Sequence, residues 1–279
     1  MEVKKMFFPV GGGAELEERI YGALLVSKFF NTHLEIMVSE SDIKSAIPAL
    51  VAIPDEVLKR LESLQNEGVT EDAKIFETCC EKLGIEISDT PVEGKATAHE
   101  TLKIGTRSIM VAQQSKFCDV VIAAAPPKGA TTATFESAVT CSGKPVIVIP
   151  RKLKEFKADK ILIGWNNSPE ASRAVTESIP LLKKAKQVHI VSSKEYTTKT
   201  LSRIKDLREY LDMHGIETTF ELVKTTFIPG EALLKSAEEG KFDLIVAGAF
   251  GHKGLKERML GGSSGYLLKH TKIPAFVSH

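Results

Sequence analysis

The sequence predicts an α/β protein made of two related halves, each with a parallel sheet flanked by helices. Short β-branched runs alternate with longer segments of helical spacing, which is the pattern of parallel strands joined by crossover helices. Several of the short runs are continuously apolar, as expected for strands that are buried on both faces. The series of elements occurs twice along the chain, so we expect two units of similar topology.

Each half contains five strand candidates. In the first half they are Lys4–Pro9, His33–Val38, Ile85–Ser88, Val120–Ala125 and Pro145–Ile149. The second half repeats the series with Lys160–Gly164, Gln187–Val191, Glu217–Val223, Leu244–Gly248 and Pro274–Val277. We therefore expect a five-stranded sheet in each half.

Local matches between the halves favour a duplication. The segment Phe117–Ala123 resembles Phe242–Ala247, and Gly143–Val148 resembles Thr271–Val277, in the same order. These matches predict one domain over residues 1–150 and a second over residues 159–279, with a charged connection between them. The first domain carries a helical insertion at about residues 41–84, where apolar side chains recur at helical spacing.

Composition excludes several classes of protein. The 37 basic and 36 acidic side chains nearly cancel, so nucleic acid and anionic membranes are not expected as partners. No apolar run approaches the ~20 residues that span a bilayer, and no secretory signal is evident, so we expect a cytoplasmic protein. The cysteines form no CxxC pair, which argues against zinc, and Cys118 and Cys141 are expected to be buried apolar residues.

A glycine-rich segment follows the fourth strand of the second half. Its glycines allow successive N–H groups to converge on an anion, and the N-terminus of the next helix adds a partial positive charge. A hydroxyl group at the start of that helix can donate a further hydrogen bond. The residues concerned are Gly248, Gly251, Gly261, Gly262, Ser263 and Ser264. The alternative is that the glycines only form a tight turn between strand and helix.

This segment resembles the nucleotide motif of the universal stress protein family, which reads Gly, two residues, Gly, nine residues, Gly, then Ser or Thr. Gly248, Gly251 and Gly261 have this spacing. Gly262 stands where nucleotide-binding members have Ser or Thr, and Ser264 matches a further hydroxyl position. The resemblance implies that the backbone of this loop binds the phosphates of ATP, ADP or AMP, with or without Mg²⁺.

The family resemblance extends to the first strand of the second half and the loop after it. The segment from Ile161 through Gly164 to Glu170 is similar to the corresponding loop of tandem family members, in which an Asp contacts adenine; here Asn166 occupies that place. Ser193 falls where relatives have an apolar residue against adenine. Independently of any ligand, Ser168 and Pro169 are expected to cap the next helix as its N-cap and first residue.

The first half lacks the corresponding glycines. Pro126 and Pro127 stand in their place, and because proline has no N–H they remove two donors from the phosphate loop. A second glycine run, Pro9–Gly13, follows the first strand. Acidic residues crowd the helix that begins there, Glu15 among them, and would repel a phosphate. We therefore expect a permissive turn at this point, and a structural role or a different ligand for the first half.

No catalytic constellation is evident. His270 and His279 have no acidic or cysteine partners at ligand spacing, so no metal site is expected. His252, Lys253, Lys256 and Arg258 lie within the glycine segment and are as well explained by solvation as by phosphate contacts. We expect a protein that is not an enzyme, or at most a slow ATPase, because the loop supplies no evident general base.

The resemblance implies two flavodoxin-like, Rossmann-like halves with strand order 3-2-1-4-5. The last strands would pair to form an internal pseudo-dimer, and a further homodimer is conceivable. The expected function is a stress-response regulator that binds an adenine nucleotide in its C-terminal domain and is recognised by an unknown protein partner. The alternative is an interaction or small-ligand module, including a lipid-binding one, of the same fold. The insertion at about 41–84 and Gly262 favour that alternative.

Overall fold

The computed structural model describes residues 2–11, 13, 15–40, 54–127, 132–194, 197–224, 229–249 and 263–279. The strands of these residues form one sheet of eleven strands. The strands are β1 (Lys5–Val10), β2 (His33–Glu40), β3 (Glu86–Ile87), β4 (Thr97–Ile104), β5 (Val120–Ala124), β6 (Val146–Ile149), β7 (Lys160–Gly164), β8 (Gln187–Ser193), β9 (Thr218–Val223), β10 (Leu244–Gly248) and β11 (Ala275–Ser278). The helices are α1 (Leu16–Phe30), α2 (Asp55–Leu83), α3 (Arg107–Gln114), α4 (Ala133–Thr140), α5 (Pro169–Leu182), α6 (Thr197–Met213), α7 (Pro229–Glu239) and α8 (Ser263–His270).

The sheet runs in the order β3-β4-β2-β1-β5-β6-β11-β10-β7-β8-β9. Its neighbouring strands are parallel except at the centre, where β6 and β11 pair antiparallel, with Ile147 opposite Phe276. The last strand of one half therefore pairs with the last strand of the other. Because this pairing satisfies two sheet edges at once, the halves share one continuous sheet of eleven strands.

The first half contributes six strands, because β4 takes the position next to β2 that the sequence analysis gives to Ile85–Ser88. Of that candidate only Glu86–Ile87 is extended, and it pairs outside β4 at the sheet edge. The sequence of β4 gives a weak signal because its outer half is polar or exposed, with Ile104 open to solvent. A strand near an edge lacks the apolar run that identifies a central one.

The two halves repeat a specific set of hydrogen bonds. The carboxylate of Asp119, before β5, accepts the backbone N–H of Lys5 at 3.0 Å. In the second half the carboxylate of Asp243, before β10, accepts the backbone N–H of Lys160 at 2.9 Å. In each half the aspartate carboxylate accepts a backbone N–H at the start of the half's first strand, which the strand-to-strand hydrogen bonds leave unused. The equivalence of these aspartates supports the duplication.

Helices cover both faces of the sheet. One layer consists of α1, α2, α5 and α6, and the opposite layer consists of α3, α4, α7 and α8. Alternation along β1 shows the division, since Met6 and Phe8 are buried under the first layer and Phe7 under the second. Both faces of the sheet are thus apolar, as the strand sequences predict.

The connection between the halves packs on the protein surface. It includes Leu153 and Phe156, which are 8% and 6% exposed despite the charged residues around them. The ring of Phe156 meets that of Phe29 on α1 edge to face, with the centroids 5.0 Å apart. The connection is therefore held against the first layer by apolar contacts.

Helix α2 is formed by residues 55–83 of the predicted helical insertion, and residues 41–53 lie outside the described part. The helix ends where Gly84 adopts a left-handed conformation with φ 62°, a common way to terminate a helix. Phe76 and Cys80 on α2 are buried against the first layer. None of the described helices has both the length and the apolar character needed to cross a membrane.

The cysteines differ in exposure. Cys79, Cys80 and Cys118 are buried, and burial raises the pKa of the Cys118 thiol to about 12. Cys141 is exposed, so the expectation that it is buried is wrong. It follows the last residue of α4 as a C-cap, and the apolar residues near it in the sequence belong to the next strand.

Candidate functional site

Two glycines lie side by side at the carboxyl edge of the sheet in the second half. Gly164 ends β7, and it pairs with Ala247, the residue before Gly248 at the end of β10. On the other side of β7, β8 ends at Ser193, which is half-buried. These three predicted residues therefore end three neighbouring strands.

This edge is also a topological switch point. From β7 the chain continues through α5 on one face of the sheet, whereas α8, which follows β10, lies on the opposite face. The helices therefore diverge on the two sides of neighbouring strands, and in open α/β sheets ligands bind outside the carboxyl ends of the strands at such a point.

Packing accounts for a glycine at position 248. A Cβ atom on Gly248 would lie 2.6 Å from the backbone nitrogen of Ala171 and 2.9 Å from the carbonyl carbon of Glu170. Both neighbours belong to the first turn of α5, so a side chain would collide with backbone. The glycine lets the N-terminus of α5 approach the end of β10 closely.

Leu233 of α7 covers the other glycine. A Cβ atom on Gly164 would lie 2.7 Å from the Cδ2 atom of Leu233. The leucine is partly buried and packs with the second layer. It forms an apolar wall at the end of β7. The sequence does not predict this contact, because the helical spacing of α7 does not show which leucine reaches the end of the strand.

The loop after β7 is ordered by local hydrogen bonds. The side-chain oxygen of Asn166 accepts the backbone N–H of Ser168 at 3.1 Å, and the hydroxyl of Ser168 accepts the N–H of Ala171 at 3.1 Å. The second bond confirms Ser168 as the N-cap of α5, with Pro169 at the first helical position. Asn166 is exposed, and the bond to Ser168 engages only its oxygen, so the turn does not require its NH₂ group.

The one tryptophan of the chain lies in the same loop. The backbone N–H of Trp165 donates to the carbonyl of Val191 on β8 at 2.9 Å. Its indole is partly buried against the first layer, and the described residues offer the buried Nε1 no hydrogen-bond partner. This side chain adjoins Asn166 and can report on the site by its fluorescence.

The predicted glycine loop itself falls largely outside the described residues. Gly251, Gly261 and Gly262 are in this group, as are His252, Lys253, Lys256 and Arg258. The description resumes at Ser263, which with Ser264 opens helix α8. The start of this helix agrees with the helical pattern that the sequence shows after Gly261.

The C-terminal strand closes the edge. The N–H of Ala249 donates to the carbonyl of Ser278 at 2.9 Å, and the Nδ1 atom of His279 lies 3.1 Å from the carbonyl oxygen of Ala249. His270 instead interacts with the carbonyl of Tyr266, its own helix neighbour, at 2.8 Å. Among the described residues, no group of three His, Cys, Asp or Glu side chains is close enough to hold a metal ion.

The fold and this edge define the class: a doubly wound α/β protein whose second half places two glycines at the carboxyl ends of neighbouring strands. Residues 157–279 match the model of the universal stress protein family. The resemblance seen in the sequence is therefore confirmed over this segment.

Solved structures extend the likeness of fold to the rest of the chain. A universal stress protein from Archaeoglobus fulgidus DSM 4304 has a TM-score of 0.72 at 18% identity, over 100% of this chain and 99% of that one. A functionally unknown protein from Pseudomonas aeruginosa PAO1 has a TM-score of 0.57 at 15% identity, over 99% of this chain and 92% of that one. No curated protein shows significant sequence similarity to the chain.

Proposed function

We propose that the second half binds ATP or a related adenine nucleotide at the edge formed by β7 and β10, and that the chain acts as a stress-response regulator. The observation that carries this proposal is the placement of Gly164 and Gly248 on adjacent strand ends. The glycine segment leaves the sheet at Gly248 and leads into the N-terminus of α8, a helix that begins at Ser263. Such an end attracts phosphate.

The described residues fit an adenine nucleotide in several respects. Asn166 presents an amide, which can donate to and accept from a base edge. Leu233 and Gly164 offer an apolar wall beside bare backbone, suited to a flat ring. Ser193 would flank the base from β8. When bound, the nucleotide would supply its phosphates as the charged group that the loop recognises. The loop residues proposed for this role are Gly248, Gly251, Gly261, Gly262, Ser263 and Ser264.

The proposal includes a tandem architecture. Residues 1–150 and 159–279 would be the two family units, the first with its insertion at about 41–84, joined as a pseudo-dimer through the β6–β11 pairing. Nucleotide binding would favour one conformation of this assembly, and a protein partner would recognise it by differential affinity for the two states. No catalytic step is proposed.

Trp165 provides a direct test. Titrating the full chain with ATP and with AMP is expected to change its fluorescence, with matching heat in calorimetry. Asn166→Ala is expected to weaken binding by about 2- to 12-fold, the effect of losing one hydrogen bond. The control Gln187→Ala, an exposed change at the opposite end of β8, is expected to leave binding unchanged. Absence of both signals at millimolar nucleotide would remove the proposal.

A second candidate function is a small-ligand module of the same fold. It is favoured by a cavity of about 220 Å³ at the carboxyl edge of the first half, lined by residues of β1, β5, α1, α3 and α4. A small molecule identified in the purified protein by mass spectrometry, with no response to nucleotide, would favour this function over the first.

A further inference from the structure

The cavity of the first half lies at the edge where the nucleotide loop of a complete unit would be. It is bounded by the end of β1, the segment after β5 and the start of α4. Pro126 and Pro127, which remove backbone donors from this edge, are part of its wall. The charged residues that line it, among those the structure describes, are arginines: Arg19, Arg107 and Arg151.

These arginines come from distant parts of the chain. Arg19 lies on α1, Arg107 is the first residue of α3, and Arg151 follows β6. Burial lowers the pKa of Arg19, and the positive charges of Arg151 and Arg107 lower it further, while the carboxylates of Glu15 and Asp72 act in the opposite direction. Burial likewise lowers the pKa of Arg107. Arg19 and Arg107 are thus gathered, partly desolvated, at one strand edge beside Arg151, which is paired with the carboxylate of Glu15. An anion stabilises such an arrangement.

Arg107 lies across bare backbone. A Cβ atom on Gly11 would be 2.1 Å from the central carbon of its guanidinium group. The group donates from Nε to the hydroxyl of Ser39 and from Nη2 to the carbonyl of Ser39 at 3.2 Å. These partners fix the plane of the guanidinium without cancelling its charge. Glycine at position 11 thus leaves room for the guanidinium of Arg107, and its φ is not positive.

Arg19 is held at the same place. It donates from Nη2 to the carbonyl of Gly11 at 2.8 Å and from Nε to the carbonyl of Glu15 at 3.2 Å. Backbone carbonyls thus orient the group, and the carboxylates of Glu15 and Asp72 also act on its charge. The two side chains meet at Gly11, which brings their forks to one side of the cavity.

The acidic start of α1 does not repel an anion in the way the sequence predicts. Arg151 donates from Nε to the carboxylate of Glu15 at 2.6 Å, and Lys152 lies 3.3 Å from the same carboxylate. These hydrogen bonds hold the pKa of Glu15 below its ordinary value. Glu17 pairs with Lys82 at 2.5 Å. The repulsion expected from these acids is therefore offset by cations, and the turn after β1 is compatible with a bound anion.

We propose that this cavity binds the phosphate group of a small phosphate monoester. Guanidinium forks match phosphate oxygens in pairs, and a phosphate monoester carries a charge of about −1.5 to −2 at neutral pH, which suits a cluster of arginines. The volume of about 220 Å³ lies below the range of roughly 300–1,000 Å³ that accommodates drug-sized ligands, so the ligand is smaller than a nucleotide. Side chains thereby replace the backbone donors that Pro126 and Pro127 remove.

The test is calorimetric titration of the full chain at low salt with glycerol 3-phosphate, with inorganic phosphate, and with glycerol as the ligand that lacks the phosphate. Both phosphates are expected to bind and glycerol is not. Arg19→Gln and Arg107→Gln are each expected to weaken binding by about tenfold or more, the effect of losing charge-assisted bonds. Gly11→Ala should do the same by displacing Arg107. Arg203→Gln, an exposed change on α6, is the matched control and should bind like the wild type.

Three results would overturn the proposal. They are absence of binding of both phosphates to the wild type, equal binding of glycerol, and unchanged affinity in the folded arginine variants. If Arg107→Gln does not fold, Arg107→Lys keeps the charge but loses the paired donors, and it must still bind phosphate more weakly than the wild type. ATP binding in the second half is expected to survive Arg107→Gln, so failure of this proposal is distinguishable from failure of the nucleotide site.

Discussion

Gly248 is constrained by packing and is also a proposed phosphate contact. Its family spacing predicts a phosphate contact, yet its packing against the first turn of α5 already requires glycine. The same holds for Gly11, where the neighbour is the guanidinium of Arg107. A glycine in such a loop therefore indicates that another group packs closely against it. An anion site is indicated only by hydrogen-bond donors around the loop.

Gly248→Ala is expected to destabilise the protein by about 1–3 kcal/mol, because the new methyl group collides with backbone atoms of α5 that cannot rotate away. Urea unfolding measures the effect. The control is Gly265→Ala within α8, where a Cβ atom would meet nothing within 4 Å and alanine favours the helix. Equal stability of the two variants would contradict the packing role of Gly248.

Glu100 on β4 is expected to make stability depend on pH. Burial raises its pKa to about 7, with Asp72 and Glu77 of α2 adding to the shift. An acid whose pKa is higher in the folded state binds more protons there than when unfolded, so stability falls as pH rises from about 4.5 to about 7. We expect a loss of about 1–2 kcal/mol, discounted for partial exposure.

Urea unfolding at pH 5 and pH 8 of the wild type and of Glu100→Gln isolates this effect, because the other titrating groups cancel in the comparison. Glutamine does not titrate, so the variant should lose this part of the pH dependence and be the more stable protein at pH 8. The exposed Glu81→Gln is the control. The assignment fails if wild type and Glu100→Gln show the same change with pH.

At the residue scale, local chemistry is what the sequence predicts well. Ser168 is confirmed as a cap because its partner is three residues away. The arginine cluster is missed because Arg19, Arg107 and Arg151 are far apart in sequence, and no spacing relates them. Cys141 is wrongly expected to be buried for a similar reason, since its exposure depends on where α4 ends.

At the scale of elements, prediction succeeds where strands are buried on both faces. Strands β5, β7 and β10 are short apolar runs at the sheet centre, and the expected segments match them within a residue at each end. Strand β4 is missed because its outer half is exposed and carries polar residues. Its parallel pairing with β2 stabilises it, although its composition is not that of a buried strand.

The N-terminus of α5 gives a prediction at this scale. Ser168→Ala removes the acceptor for the N–H of Ala171 and is expected to cost about 1 kcal/mol in the free energy of unfolding. Ser168→Thr keeps a hydroxyl acceptor and should cost much less. Urea unfolding measures both variants, and an alanine variant as stable as the wild type would show that the cap contributes nothing.

At the scale of the whole molecule, the pairing of β6 with β11 makes one sheet of the two halves. The family resemblance implies that the last strands pair, but the sequence does not predict the sixth strand of the first half. The backbone ladder at the centre couples the two helical layers across both halves, because both layers rest on the same strands.

The two halves are therefore expected to unfold together. Trp165 fluorescence reports the second half, and thiol labelling of the buried Cys79, Cys80 and Cys118 reports the first, with the exposed Cys141 replaced by serine. The urea midpoints from the two probes should coincide, as in a cooperative transition. Two separate midpoints would show that the β6–β11 ladder does not couple the halves.

The central claim is that an adenine nucleotide binds at the carboxyl edge of the second half. Hydrogen–deuterium exchange of the full chain with and without ATP tests it most directly, because it locates the protected backbone. ATP is expected to slow exchange in residues 164–168 and 244–249 and at the start of α8, and to leave residues 120–127 of the first half unchanged. Unchanged exchange throughout at saturating ATP, or protection confined to the first half, would contradict the claim.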